Sequence, residues 1–131
     1  MHLSDDEKQL VYKRIRNRII DVLEVTASLD KQAEFGANEV VNLWEDWVDD
    51  EQLIHYMEPV FSREEQIAMA DYHGQWKSVV DAFPQQMPKL EMLHKDQHWL
   101  DLTAAAHRLL QVFAKRGRLI EDDPHDSIRR E

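Results

Sequence analysis

The stretch SREEQIAMADYHGQWKSVVDAFP, residues 62–84, decides the fold class. Ser62 followed by Glu65 is a capping-box pattern, in which each side chain satisfies a backbone N–H that the first helical turn leaves free. Behind it Ala68, Met69, Tyr72, Trp76, Val79, Val80 and Phe83 recur at helical spacing, and Pro84 stops the run. A helix with one apolar stripe must bury it against other elements, so the flanking sequence is read for partners.

Toward the N-terminus, Asn38 reads as the cap of a helix carrying Val40, Val41, Leu43, Trp44, Trp47 and Val48. That helix breaks near Asp49-Asp50 or runs on to Met57, and Pro59 ends it in either case. Residues 30–37 lose the helical period and include Gly36, which reads as a loop. Ser4 with Glu7 is a second capping box, opening a helix expected to reach Leu29 with the stripe Val11, Tyr12, Ile15, Ile19, Val22, Leu23 and Leu29.

Toward the C-terminus, Pro84 and Pro88 bracket a short link. From Lys89 to Arg116 the pattern is helical again, with Trp99, Leu102, Ala106, Leu109, Leu110 and Phe113 in register and Asp96 placed to cap a fresh start. Gly117 suits a helix C-terminus, with Lys115 and Arg116 in the last turn. The polar residues 121–131, with Pro124, read as a flexible tail. The expected fold is therefore all-α, a single-domain bundle of four or five antiparallel helices over residues 1–120.

Composition agrees. The 131 residues suffice for one core, and 43% hydrophobic with 32% charged residues is a globular balance. Only 3 Gly and 4 Pro occur, too few for a turn-rich β-sandwich or a Rossmann domain. The absence of cysteine removes disulfide scaffolds, thiolate metal sites and cysteine nucleophiles together. The opening Met1-His2-Leu3-Ser4-Asp5-Asp6-Glu7 lacks the pattern of a secretory signal, and no apolar run is long enough to span a bilayer, so a cytoplasmic location is expected.

Acidic residues number 26 against 16 basic, giving a net charge of −10 that is unevenly spread. Residues 32–62 hold no Lys or Arg but eight carboxylates, namely Glu34, Glu39, Glu45, Asp46, Asp49, Asp50, Glu51 and Glu58, with Trp44, Trp47 and Tyr56 among them. Residues 8–18 hold five basic residues and no acidic one. Such asymmetry bears on partners more than on fold. The functional expectation is a non-enzymatic interaction module, regulator or inhibitor-like, whose Glu45, Asp46, Asp49, Asp50 and Glu51 dock a basic protein. The competing structural reading puts both tryptophans in the core and leaves the carboxylates to solvate the outer face or to meet the basic first helix.

A second expectation concerns metal. Among seven histidines, Glu91 and His94 lie one helical turn apart, with His98 and Asp101 continuing the row. Glu51, His55 and Glu58 would form another row if their helix is continuous, and Asp71 and His73 lie on a third segment. Facing rows built on Glu91, His94, His98, Glu51 and His55 would offer mixed N/O ligands for Zn, Fe or Mn, making a metal-binding bundle, with or without catalysis, the alternative function. Against it, di-metal bundles normally need two Glu-x-x-His pairs, and one is present.

A third feature is the spacing of Ala70, Gly74 and Ser78 opposite the main apolar stripe. Small residues there would admit a second helix, either within the fold or from a second copy in a homodimer. Other chemistries find little footing. Three scattered glycines make no phosphate loop. His125-Asp126 stands without a later aspartate, and two of the five serines are spent on caps. Lys13, Arg14, Arg16, Arg18, Lys115, Arg116 and Arg118 would line a basic stripe if their helices are neighbours, but the net charge opposes nucleic-acid binding.

Overall fold

The structure is a computed structural model that describes residues 4–121. The described chain contains seven helices and no strand: α1 (Asp5–Thr26), α2 (Leu29–Phe35), α3 (Ala37–Glu45), α4 (Asp50–Leu53), α5 (Arg63–Ala82), α6 (Leu90–Leu93) and α7 (Gln97–Ala114). The fold is all-helical, with three long helices and four short ones among the described residues. Residues 122–131 of the expected tail, with the His125-Asp126 pair, lie outside the described residues. Glu121 is held by Asn17 Nδ2 at 2.7 Å and Arg18 at 2.8 Å, both on α1.

The helix starts follow local chemistry. Ser4 accepts from the Glu7 N–H, and at α5 both halves of the Ser62/Glu65 capping box are formed. Asp49 caps α4 and Asp96 caps α7 in the same way. Two boundaries differ from expectation. α1 ends at Thr26, because Ser28 turns extended and caps α2 across residues read as loop. Gly36, at φ 86°, joins α2 to α3, so Asn38 lies inside the first turn of α3 and caps nothing.

α7 packs against both α5 and α1, while α2 and α3 pack on α1 and on each other. Glu64 at the start of α5 pairs with Lys115 just beyond α7, so those two helices run in opposite directions. The core between them holds Ile19, Leu23, Trp44, Phe61, Met69, Val79, Trp99, Leu102, Ala106 and Phe113, most of them on the expected stripes.

Three polar assemblies are built into this core. The first is ionic. Arg16 of α1 and Glu65 of α5 are both buried and bonded at 2.6 Å, and Arg116 adds a second guanidinium to the same carboxylate at 2.8 Å. Arg16 also donates to the carbonyls of Val60 and Gly117 and lies over the Phe113 ring at 4.7 Å. Gly117 has φ 72°, which lets the chain leave α7 with its carbonyl turned to Arg16. Burial pushes the Glu65 carboxyl up, but the bonds from Arg16, Arg116 and the Ser62 N–H outweigh it and hold it down at about 2.

The second assembly centres on Gln32, the buried residue of α2. Its Nε2 donates to the Thr26 carbonyl at 2.7 Å and to Thr103 Oγ1 at 3.1 Å. Its Oε1 accepts from Trp99 Nε1 at 2.9 Å and from His94 Nε2 at 3.3 Å. The third assembly joins α3, α4 and α5, and belongs to the candidate site.

Candidate interaction surface

α3 and α4 meet at a corner formed by residues 46–49. The corner is pinned from beneath: Trp44 is buried in the core, Val48 is buried, and the Tyr56 hydroxyl donates to the Trp47 carbonyl. Burial pushes the Tyr56 hydroxyl up to about 12, with Asp49 adding to the shift, so it remains a donor. Trp47 is half-buried against the core, so both tryptophans of the acidic block serve packing.

With the aromatic side turned inward, the acidic side faces water. Glu45, Asp46, Asp49, Asp50 and Glu51 are all exposed. Two of the five have internal roles. Asp49 Oδ1 accepts from the Gln52 N–H at 2.6 Å as the α4 cap. Asp50 receives Lys77 Nζ at 2.6 Å and His73 Nε2 at 2.9 Å, both from α5. Lys77 and then His73 hold the Asp50 carboxyl below the ordinary carboxylate range. Among the described residues no ion pair involves Glu45, Asp46 or Glu51.

His73 is buried, although the sequence offered it only as a stray ligand. Its Nδ1 accepts from Trp44 Nε1 at 3.0 Å, and its ring stacks on Trp76 at 5.5 Å and 10°. An indole N–H can only donate, so Nδ1 carries no proton and the ring proton sits on Nε2, aimed at Asp50. No local pattern signals this pairing across three elements.

Beside the corner runs a groove of about 250 Å³ between α4 and α5, lined by Leu53, Ile54, Arg63, Gln66, Ile67 and Ala70. Ile54 is 70% exposed, Met57 54% and Ile67 53%. Ile54 directly follows α4, so the groove begins at the end of the helix that carries Asp50 and Glu51. The signal of this apolar surface was legible, since Ile67 falls off the stripe of its own helix.

The remaining sequence candidates are placed as follows. Glu91 lies on α6, His94 is the residue that ends it, and His98 lies beyond the Asp96 cap on α7, so the expected continuous row is broken. His94 turns inward to Gln32, while Glu51 sits on α4 and His55 just past it. Among the described residues no group of three or more His, Asp or Glu side chains is placed to hold a metal ion. Glu91, His94, His98, Glu51 and His55 are thus not gathered into a donor set for Zn, Fe or Mn.

Ala70, Gly74 and Ser78 are exposed on α5, and no atom of the fold comes within 4 Å of a Cβ placed on Gly74. Among the described residues no helix approaches Gly74 closely on this face. The basic residues of α1 and the end of α7 are neighbours, as a stripe would require, but are largely tied up. Arg16 and Arg116 share Glu65, Arg18 meets Glu121, Lys115 meets Glu64, and Arg118 meets Asp21 and Glu24. Five of the seven cations expected to face a polyanion, or the acidic block, are engaged by other carboxylates, and among the described residues Lys13 and Arg14 make no ion pair. Among the described residues no helix is long and apolar enough to cross a membrane.

No protein-family model matches the chain, no curated protein matches it, and no solved structure matches it.

Proposed function

We propose that the chain is a non-enzymatic interaction module, a regulator or inhibitor-like protein, that docks a basic protein through the α3–α4 corner. One observation carries this reading. Glu45, Asp46 and Glu51 stand exposed with no ion-pair partner among the described residues, Glu51 lies on the short helix that leads into the groove holding exposed Ile54 and Ile67, and Arg16, Arg18, Arg116 and Arg118 are bound internally. Unpaired carboxylates steer a cationic partner into encounter, and an adjacent apolar groove supplies surface to bury once it arrives. Asp49 and Asp50 add to the field while also capping and latching the corner. A cytoplasmic setting suits such a module. The Ala70–Gly74–Ser78 face of α5 borders the same groove, so a homodimer is the competing occupant.

Affinity capture of a basic protein by the full chain, followed by measurement of their association at two ionic strengths, tests the reading. Glu45→Lys with Asp46→Lys should slow association by about tenfold at low salt and flatten its salt dependence. Ile54→Asp should instead speed dissociation. Unchanged rates in both variants would sink the proposal.

A further inference from the structure

We propose that the hydrogen-bonded chain Trp44–His73–Asp50 is an acid-sensitive latch that holds the α3–α4 corner onto α5. The geometry leaves the imidazole one arrangement. Nδ1 takes the indole N–H of Trp44 on α3, and Nε2–H goes to Asp50 at the start of α4. A single neutral ring on α5 therefore joins both elements of the corner, acting as acceptor toward one and donor toward the other.

Proton uptake removes one of those functions. An imidazolium has N–H groups on both nitrogens, so the Trp44 indole would face a donor at 3.0 Å. That contact lies in the core, where the indole finds no water to replace its acceptor. The opposing effect is the attraction of Asp50 for a positive ring. Asp50 is 71% exposed and already bonded to Lys77, so its field at the ring is screened by water and partly neutralised. The charged groups facing the ring are Asp50 from α4 and, through Asp50, Lys77 on its own helix. α3 presents the uncharged indole, and Trp76 covers a face of the ring.

The sign follows from linkage. An opened corner can take up a proton that the closed latch excludes, so closure is favoured where imidazole is neutral. It weakens as the solution is acidified from pH 7.5 to 5.5, by at most about tenfold per pH unit. The Arg16–Glu65–Arg116 assembly stays charged throughout this window, because Glu65 is held down at about 2. The expected opening is thus local to α3 and α4. Its functional consequence, release of the docking carboxylates from their fixed corner, rests on the proposed function. The latch itself is read on the free protein, so the two readings fail separately.

The test is proton–nitrogen NMR of the indole Nε1–H signals of the full chain from pH 7.5 to 5.5. The Trp44 signal should shift and lose exchange protection as pH falls across that range, while the Trp99 signal stays put. His73→Gln, which keeps a neutral acceptor, should abolish the Trp44 response. Should that variant fail to fold, ring-nitrogen shifts of wild-type His73 at pH 7.5 serve instead, and are expected to report a proton on Nε2 alone. A Trp44 signal indifferent to pH, equal losses at Trp44 and Trp99, a response that persists in His73→Gln, or a proton on Nδ1 would each overturn the latch.

Discussion

Trp99 and Trp44 are both buried indoles whose N–H groups tie one helix to another, but their acceptors differ in kind. Trp99 donates to the Gln32 amide oxygen, and Trp44 to a ring nitrogen of His73. An amide oxygen accepts at any pH that leaves the protein folded, whereas an imidazole nitrogen accepts only while neutral. His94 sharpens the contrast, since it reaches the same Gln32 oxygen as a donor through Nε2 and keeps that role when protonated. Two histidines of one fold therefore meet acid in opposite ways. The end built on α2 and α7 is tied together by groups that do not depend on pH, and the end that presents the acidic corner is tied by one that does.

The strongest way to break this comparison is to disturb what both ends share. Glu65→Gln leaves the buried Arg16 without its counter-charge and should cost about 3–5 kcal/mol by urea denaturation, at both ends alike. In the wild-type chain the Glu65 carboxylate contributes stability that is present above about 4.5 and lost as pH falls toward about 2. A loss of stability between pH 7.5 and 5.5 therefore cannot come from it.

Gln32→Leu should be next in size, at about 2 kcal/mol, because Trp99 Nε1 and the Thr26 carbonyl each lose a buried partner. Thermal melts should show that loss to be the same at pH 7.5 and 5.5. His73→Gln is expected to cost about 1 kcal/mol at pH 7.5 and to remove the acid response, so its disadvantage should shrink by pH 5.5. A disadvantage that grows on acidification would reverse the comparison. Glu45→Lys with Asp46→Lys should be smallest in stability, within about 0.5 kcal/mol in the same melts, because neither carboxylate bonds to another described element.

The sequence disclosed the helices whose ends are set by local chemistry and whose faces are apolar. Ser4, Ser62 and Asp96 announced three starts, and the stripes of α5 and α7 are the observed core. α2 was hidden for a physical reason: its buried residue is a glutamine satisfied by four hydrogen bonds, to Thr26 of α1, to His94 at the end of α6 and to Trp99 and Thr103 of α7, so no apolar period marks it. Arg16 was legible in principle. It stands on the stripe of Tyr12, Ile19 and Leu23, where a basic residue has to find a buried counter-charge. The Glu91–His94–His98 row was overread, since the Asp96 cap already implied that the helix restarts between His94 and His98. The Trp44–His73 bond joins residues 29 apart through tertiary packing, and nothing local foretells it.

Native mass spectrometry of the chain isolated gently from its own cells tests whether the acidic corner is a docking surface. One spectrum reports bound protein, bound metal and copy number together. The account predicts a metal-free complex with a basic protein, lost when Glu45, Asp46 and Glu51 are all changed to Lys. A chain found bare, paired only with itself, loaded with metal, or still bound to that protein after the three reversals would contradict it.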